Sequence, residues 1–230
     1  MKTIGLVGGT GWVSTLEYYR LLNEGVRTRL GGHEAARCVV YSLNFGDVMR
    51  AKEGDPEQTK VGPMVVDAAR RLASIGVDGL MLCATTLHWF ADSVERDVPL
   101  PLIHSATAVA RRIREQGLDR VALLGTLPTM ERDFYKRRLD AAGIAVLVPD
   151  QTGRQYVHDA IHNELVLGRF LPDTRARFVE IIRCLREEGA QGVVLGCTEI
   201  PLLLREADCD VPLFDTLAIH ATAGVSFLIA

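Results

Sequence analysis

An α/β fold with largely parallel sheets is predicted by three observations. Short aliphatic or β-branched runs ending at Gly or Thr alternate with longer segments whose apolar residues recur at three- and four-residue spacing. Several of the longer segments stop at Gly, which takes the left-handed turn after a helix most easily. The second half of the chain also repeats the first. At a single offset of 113 residues, Gly76, Gly79, Leu82 and Thr85 meet Gly189, Gly192, Leu195 and Thr198. Alternating strands and helices cover both faces of a parallel sheet, and the repeat makes two similar Rossmann-like lobes related by a pseudo-two-fold axis.

In chain order, "TIGLVG" reads as the opening strand and "STLEYYRLLNEGVRTRL" as the helix after it, followed by the strand "RCVVYSL". The acidic, turn-rich "KEGDPEQTK" (residues 52 to 60) reads as a loop, a solvated surface or a lid. "GPMVVDAARRLASIG" is a helix and "GLMLCA" a strand; "PLIHS", also a strand, leads into the helix "ATAVARRIREQG". The same alternation continues through "RVALLG", "TMERDFYKRRLDAAG", "AVLVPD", "RARFVEIIRCLREEG", "GVVLGC" and "VPLFD".

The offset of 113 also pairs Arg70 with Arg183, Leu72 with Leu185, and "VPL" at 98–100 with "VPL" at 211–213. "IGLVGGT" from Ile4 matches "VALLGTL" from Val121 at an offset of 117. The expected lobes are residues 1–100 with 212–230, and residues 101–211. Ligands of open α/β sheets sit beyond the carboxyl ends of the strands. "CATT" and "GCTE" fall at such ends, so the active site is expected in the cleft between the lobes.

A chain of 230 residues with 48% hydrophobic side chains can bury a sizeable core. A net charge of −3 and a pI near 6.1 provide no basic field for a phosphate backbone, which argues against nucleic acid as a partner. The opening "MKTIGLVGGTG" lacks the longer apolar region of a secretory signal, and no apolar run is long enough to span a membrane. A cytoplasmic protein with no membrane association is expected. The five cysteines are scattered without a CxxC pair, and the histidines form no HExxH-like pattern. Neither a disulfide framework nor a metal is implied.

"GLVGGTGWVST" fails as a dinucleotide fingerprint, because a GxGxxG frame from Gly9 meets Ser14 at its third glycine. It reads better as a Gly-rich turn whose amides, with Ser14 and Thr15, hold a carboxylate. "GVVLGCTEI" carries the strongest chemistry. Cys197 ends a strand and Thr198 and Glu199 open the next helix, where the helix dipole would lower a thiol's pKa and favour a base or nucleophile. In the repeat the residue facing Cys197 is Ala84, with Thr85 and Thr86 after it to orient a carboxylate or amino group. Cys83 lies one residue early and so points to the opposite face, as a packed thiol or a substitute base. His88, one turn further on, reads as a helper base or a structural donor. Arg50 and Lys52 follow "VVYSLNF", where a cation could pair with a distal carboxylate or simply lie on the surface.

"GLVGGTGWVSTLEYYR", "GTLPTMERDFYKRRL", "GCTEI" and "PLFDTLAIHA" together closely resemble the signature segments of the aspartate/glutamate racemase family, in particular its bacterial amino-acid racemases, over essentially the whole chain. The resemblance implies a homodimer of two-lobed α/β subunits that uses no pyridoxal phosphate or other cofactor and no metal. It also implies one residue from each lobe facing the α-carbon of an amino acid, one abstracting the proton and the other protonating the opposite face. Those positions are Cys197 and Ala84, where the family usually has two cysteines or a threonine and a cysteine. Substrate binding is carried over to Thr10, Ser14, Thr15, Lys52, Thr86, Thr126, Thr129, Thr198 and Glu199. The chain departs from the family pattern at Ala84, at Thr85-Thr86 in place of Asn-Thr, in "GGTGWVST", and at Pro128.

An alanine methyl neither removes nor delivers a proton. Racemisation therefore needs Cys83, His88 or a water held by Thr85 to serve the Ala84 face. Alternatively, Cys197 acts alone, as in the single-cysteine arylmalonate decarboxylases of the same superfamily, or the chain has lost chemistry and binds an amino acid or dicarboxylate.

Overall fold

In a computed structural model that describes residues 1–230, the chain divides into two units, residues 1–105 with 220–230 and residues 106–219. The first contains β1 (Ile4–Gly8), α1 (Trp12–Leu30), β2 (Cys38–Ser42), α2 (Phe45–Lys52), α3 (Val61–Ser74), β3 (Gly79–Leu82) and α4 (Ala91–Asp97). The second contains α5 (Ser105–Glu115) from its second residue on, β4 (Arg120–Leu124), α6 (Leu127–Glu131), α7 (Asp133–Asp140), β5 (Ala145–Leu147), α8 (Gln151–Asn163), α9 (Pro172–Glu187), β6 (Val193–Leu195), α10 (Ile200–Leu203) and β7 (Leu213–Asp215). α11 (Thr216–Ile229) begins in the second unit and returns the chain to the first at His220.

Both sheets are entirely parallel. The first runs β2-β1-β3 and the second β5-β4-β6-β7. β1 and β3 are buried at every residue, which is why they read as unbroken apolar runs and not as alternating ones. Val65, Ala69 and Leu72 on α3 pack with Val7, Leu80 and Leu82 in the first core, and Phe178, Ile182 and Leu185 on α9 pack with Ala122, Val193 and Leu195 in the second.

The two sheets are repeats of one plan, with one correction to the sequence alignment. Leu80 N–H donates to the Pro101 carbonyl at 2.9 Å, and Val193 N–H donates to the Pro212 carbonyl at 2.9 Å. Pro101 is therefore the counterpart of Pro212, an offset of 111, and the "VPL" match at 98–100 is two residues out of register. "PLIHS" forms a single parallel bridge, Leu80 to Leu102, and not a strand. Beyond the bridge the Ile103 carbonyl meets a histidine, His220 Nε2, at 2.6 Å, and the Ser105 N–H meets another, His88 Nε2, at 3.2 Å. β7, by contrast, pairs with β6 over three residues, so the second unit extends to Ile219 where the sequence placed its end at residue 211.

The expected helix "TMERDFYKRRLDAAG" is broken into α6 and α7 by Arg132, whose ψ of 160° is extended. Met130, Tyr135 and Leu139 are all fully buried. In one continuous helix Met130 and Leu139 would lie about two and a half turns apart, on opposite faces, so the break brings both to the core. α2, α8 and α11 were not anticipated, and the helix expected after "CATT" opens as a 3-10 turn before α4. α2 is short, and Val48 is its only buried side chain.

Candidate active site

The thiol in the second unit is held by a glycine corner. Gly196 N–H donates to the Leu124 carbonyl at 2.6 Å, and a Cβ on Gly196 would lie 2.9 Å from that oxygen. Only glycine lets the end of β6 sit this close to β4. Thr129, fully buried, closes the same corner with its methyl, and its hydroxyl lies 3.2 Å from that of Thr126. Thr126 is partly exposed, whereas Thr129 packs the wall.

Cys197 packs against the second core but remains partly accessible. Its Sγ–H donates to Glu199 Oε2 at 2.9 Å, and Thr198 Oγ1 donates to the same oxygen at 2.8 Å. Burial pushes the thiol well above its ordinary range, and the Glu199 charge and hydrogen bond add to that; the Glu199 and Thr198 amides pull the other way without prevailing. The sequence argument for a lowered pKa is thus corrected. It relied on a helix dipole, but α10 has four residues, one turn, and so little dipole to offer. The resting site is a neutral thiol donating to a carboxylate.

The corresponding turn in the first unit begins at Ala84, with extended φ and ψ of −149° and 139°, and continues as a short 3-10 turn, Thr85–Phe90. Ala84, Thr85 and Thr86 are partly exposed. Cys83 is 1% exposed, and burial pushes its thiol far up, as expected of a packed thiol. Both ring nitrogens of His88 are engaged by backbone, Nδ1 with the Ala84 carbonyl at 3.1 Å and Nε2 with the Ser105 N–H at 3.2 Å.

At the start of α1, Gly9 has φ +90° and a Cβ there would meet the Leu43 carbonyl at 2.1 Å, so the turn requires glycine. Thr15 Oγ1 accepts from Gly9 N–H at 3.0 Å and donates to the Gly11 carbonyl at 3.3 Å, so its hydroxyl is spent on the turn. Ser14 is buried beside it. Thr10 Oγ1 is buried with no hydrogen-bond partner. Arg50 is exposed and paired with Asp47. Lys52 is partly buried, and burial alone pulls its ammonium pKa down, with no carboxylate opposing it. Of the two cations, Arg50 is paired on the surface and Lys52 is the more buried.

A family model described as Asp/Glu/Hydantoin racemase matches residues 7–224. The chain belongs to this racemase family. Its enzyme class is therefore that of an isomerase, and its two parallel sheets match those of the family's solved structures. A protein from Yersinia pestis assigned to the Asp/Glu racemases is 40% identical over the full length of both chains, with a TM-score of 0.94. An aspartate racemase homologue from Pyrococcus horikoshii OT3 is 33% identical over both full lengths, with a TM-score of 0.86. The broad specificity amino-acid racemase RacX of Bacillus subtilis is 24% identical over 169 residues, covering 72% of this chain and 71% of RacX.

Within this family member, sequence reasoning missed the grouping of three histidines that looked scattered. The His88 ring centroid lies 4.5 Å from that of His104 and 5.4 Å from that of His220. Tyr18, 202 residues from His220, joins them through a 2.8 Å bond to its Nδ1. No local spacing announces such a cluster. No helix of the racemase is long and apolar enough to cross a membrane.

Proposed function

We propose that the chain is a cofactor-independent amino-acid racemase or epimerase that works by α-proton abstraction and reprotonation, with Cys197 as its one catalytic thiol. The observation that carries this is the Cys197–Glu199 contact. The carboxylate takes the thiol proton and the resulting thiolate takes the α-proton from one face of a bound amino acid; inversion then requires the return proton on the opposite face. Thr10, Ser14, Thr85, Thr86 and Thr198 hold the α-carboxylate and ammonium. Lys52 pairs with the distal carboxylate of aspartate or glutamate, which offsets the desolvation that now depresses its pKa. Thr15, Thr126 and Thr129 shape the site. The enzyme acts as a cytoplasmic homodimer on the free amino acid.

The other face of the α-carbon belongs to Ala84. Cys83 is sealed in the core, and His88 spends both nitrogens on backbone groups, so water supplies the proton there. Proton exchange on the Cys197 face then outpaces inversion. The same observation favours a second reading, in which loss of carbon dioxide from a malonate-type acid creates the carbanion without a base and neutral Cys197 protonates one face.

The test is proton NMR in heavy water with L- and D-aspartate and glutamate in separate tubes. Loss of the α-proton signal with slower appearance of the other enantiomer is expected, and Cys197→Ala should reduce both by about a thousandfold. Exchange without inversion replaces racemisation with one-face chemistry, and substituted malonates become the substrates to test. Full activity in Cys197→Ala refutes both readings.

A further inference from the structure

Two buried histidines whose ring centroids lie 5.4 Å apart bond to one short segment, His220 to Ile103 and His88 to Ser105. His220 is fully buried, and its Nε2 lies 2.6 Å from the Ile103 carbonyl. A carbonyl only accepts, so Nε2 carries the proton and Nδ1 is left to accept from the Tyr18 hydroxyl at 2.8 Å. Burial and the neighbouring His88 pull the His220 pKa down to about 3, which keeps this ring neutral.

His88 has the opposite tautomer. The Ser105 N–H can only donate, so Nε2 of His88 is its bare nitrogen; Nδ1 then carries the proton and donates to the Ala84 carbonyl, 3.1 Å away. The series runs in one direction: Tyr18 hydroxyl to His220, His220 to the Ile103 carbonyl, Ser105 N–H to His88, and His88 to the Ala84 carbonyl. It draws on α1, α11, the segment at 103–105 and the turn after β3. At the equivalent place after β6, the residue matching His88 is Pro201, and the Cys197 carbonyl has a single backbone donor, Ile200 N–H at 3.2 Å. The second clamp on the carbonyl belongs to the half without a catalytic side chain.

We propose that His88 is a positioning residue, not a base: as the neutral Nδ1–H tautomer it fixes the Ala84 carbonyl and thereby the backbone that presents Thr85 and Thr86 to the substrate. The proposal rests on the racemase reading for its substrate and on the hydrogen bonds alone for its geometry. With only a methyl at Ala84, backbone and hydroxyl placement is what this half contributes, and a drifting turn would lose it.

Three variants separate the roles. The side-chain amide of Asn reaches the place of Nδ1, so His88→Asn keeps the donor to Ala84 and loses the acceptor for Ser105. His88→Gln keeps the acceptor and loses the donor, and His88→Leu loses both. Two readouts apply: kcat for α-proton exchange, and protection of the Leu87 amide, which donates to the same Ala84 carbonyl at 3.1 Å. Expected are His88→Asn within about threefold of the parent by both, and His88→Gln and His88→Leu down by about fivefold or more, the span of one typical hydrogen bond. Parent-like values in Gln with losses in Asn would overturn the proposal and assign His88 to holding residues 103–105. Equal loss of turnover in all three with Leu87 protection unchanged would make His88 a base. Long-range proton–nitrogen NMR of the imidazoles reads the tautomer directly, and a neutral Nε2–H or a charged His88 at neutral pH also overturns it. Because amide protection and tautomer need no turnover, a parent enzyme that exchanges no amino acid would sink the racemase reading alone.

Discussion

Leu87 N–H meets the Ala84 carbonyl at 3.1 Å as Ile200 N–H meets the Cys197 carbonyl at 3.2 Å, so the turns after β3 and β6 share a backbone. Thr85 and Thr198 match, but the side chains on either side of them differ: Ala84 and Thr86 stand where the second turn has Cys197 and Glu199. After β6 a thiol donates to a carboxylate, and a glycine corner fixes its distance from β4. After β3 there is a methyl, and the carbonyl behind it carries a second bond, from a buried histidine. A duplicated scaffold thus keeps its main-chain geometry in both copies while the side chains it presents diverge.

The sharpest way to break this contrast is to disarm the second turn without removing its thiol. Glu199→Gln deletes the charge that helps hold the Cys197 proton while leaving an oxygen that can accept it in a hydrogen bond, so the thiol pKa should fall and alkylation of Cys197, followed site by site by mass spectrometry, should speed up at neutral pH. Turnover should drop by about a hundredfold, because the thiol proton loses its base. Faster alkylation with undiminished turnover would remove Glu199 from the mechanism.

The neutral histidine behind the first turn should make that unit acid-sensitive. His220 has a folded pKa of about 3 against an ordinary 6.5. Below the ordinary value the unfolded chain takes up a proton that the folded chain refuses, so the contribution is complete above pH 6.5 and is lost as the pH falls toward 3. Between pH 6.5 and about pH 5 it should cost about 2 kcal/mol, read as a lower urea midpoint in the parent and a smaller change in His220→Gln. Equal acid sensitivity in both proteins would show that His220 is not held neutral.

The smallest effect expected is a gain. Ala84→Cys restores an ionisable group at the first position and should raise inversion relative to exchange by about tenfold, measured by the rate at which the opposite enantiomer appears in heavy water. No gain would mean that Ala84 does not face the reacting carbon.

Much of this was legible in the sequence because it is local or periodic. The parallel sheets follow from buried runs such as "IGLVG" and "GLML", whose residues have both faces covered. The repeat at an offset of 113, the match of Ala84 to Cys197 within it and the family motifs all followed from residue type and spacing. Register at residues 98–102 did not, because "VPL" and "LPL" are both plausible matches until the Pro101 and Pro212 carbonyls show which is paired.

The sequence alone thus determined the fold class and the family, since both are written in side-chain type and spacing. Only the tertiary structure decided the charge state of Cys197, the different fates of Arg50 and Lys52, and the tautomers of His88 and His220. Each of these depends on burial and on a partner's donor or acceptor. For His220 those partners are Tyr18, 202 residues away, and Ile103, 117 residues away, and no sequence window spans such contacts.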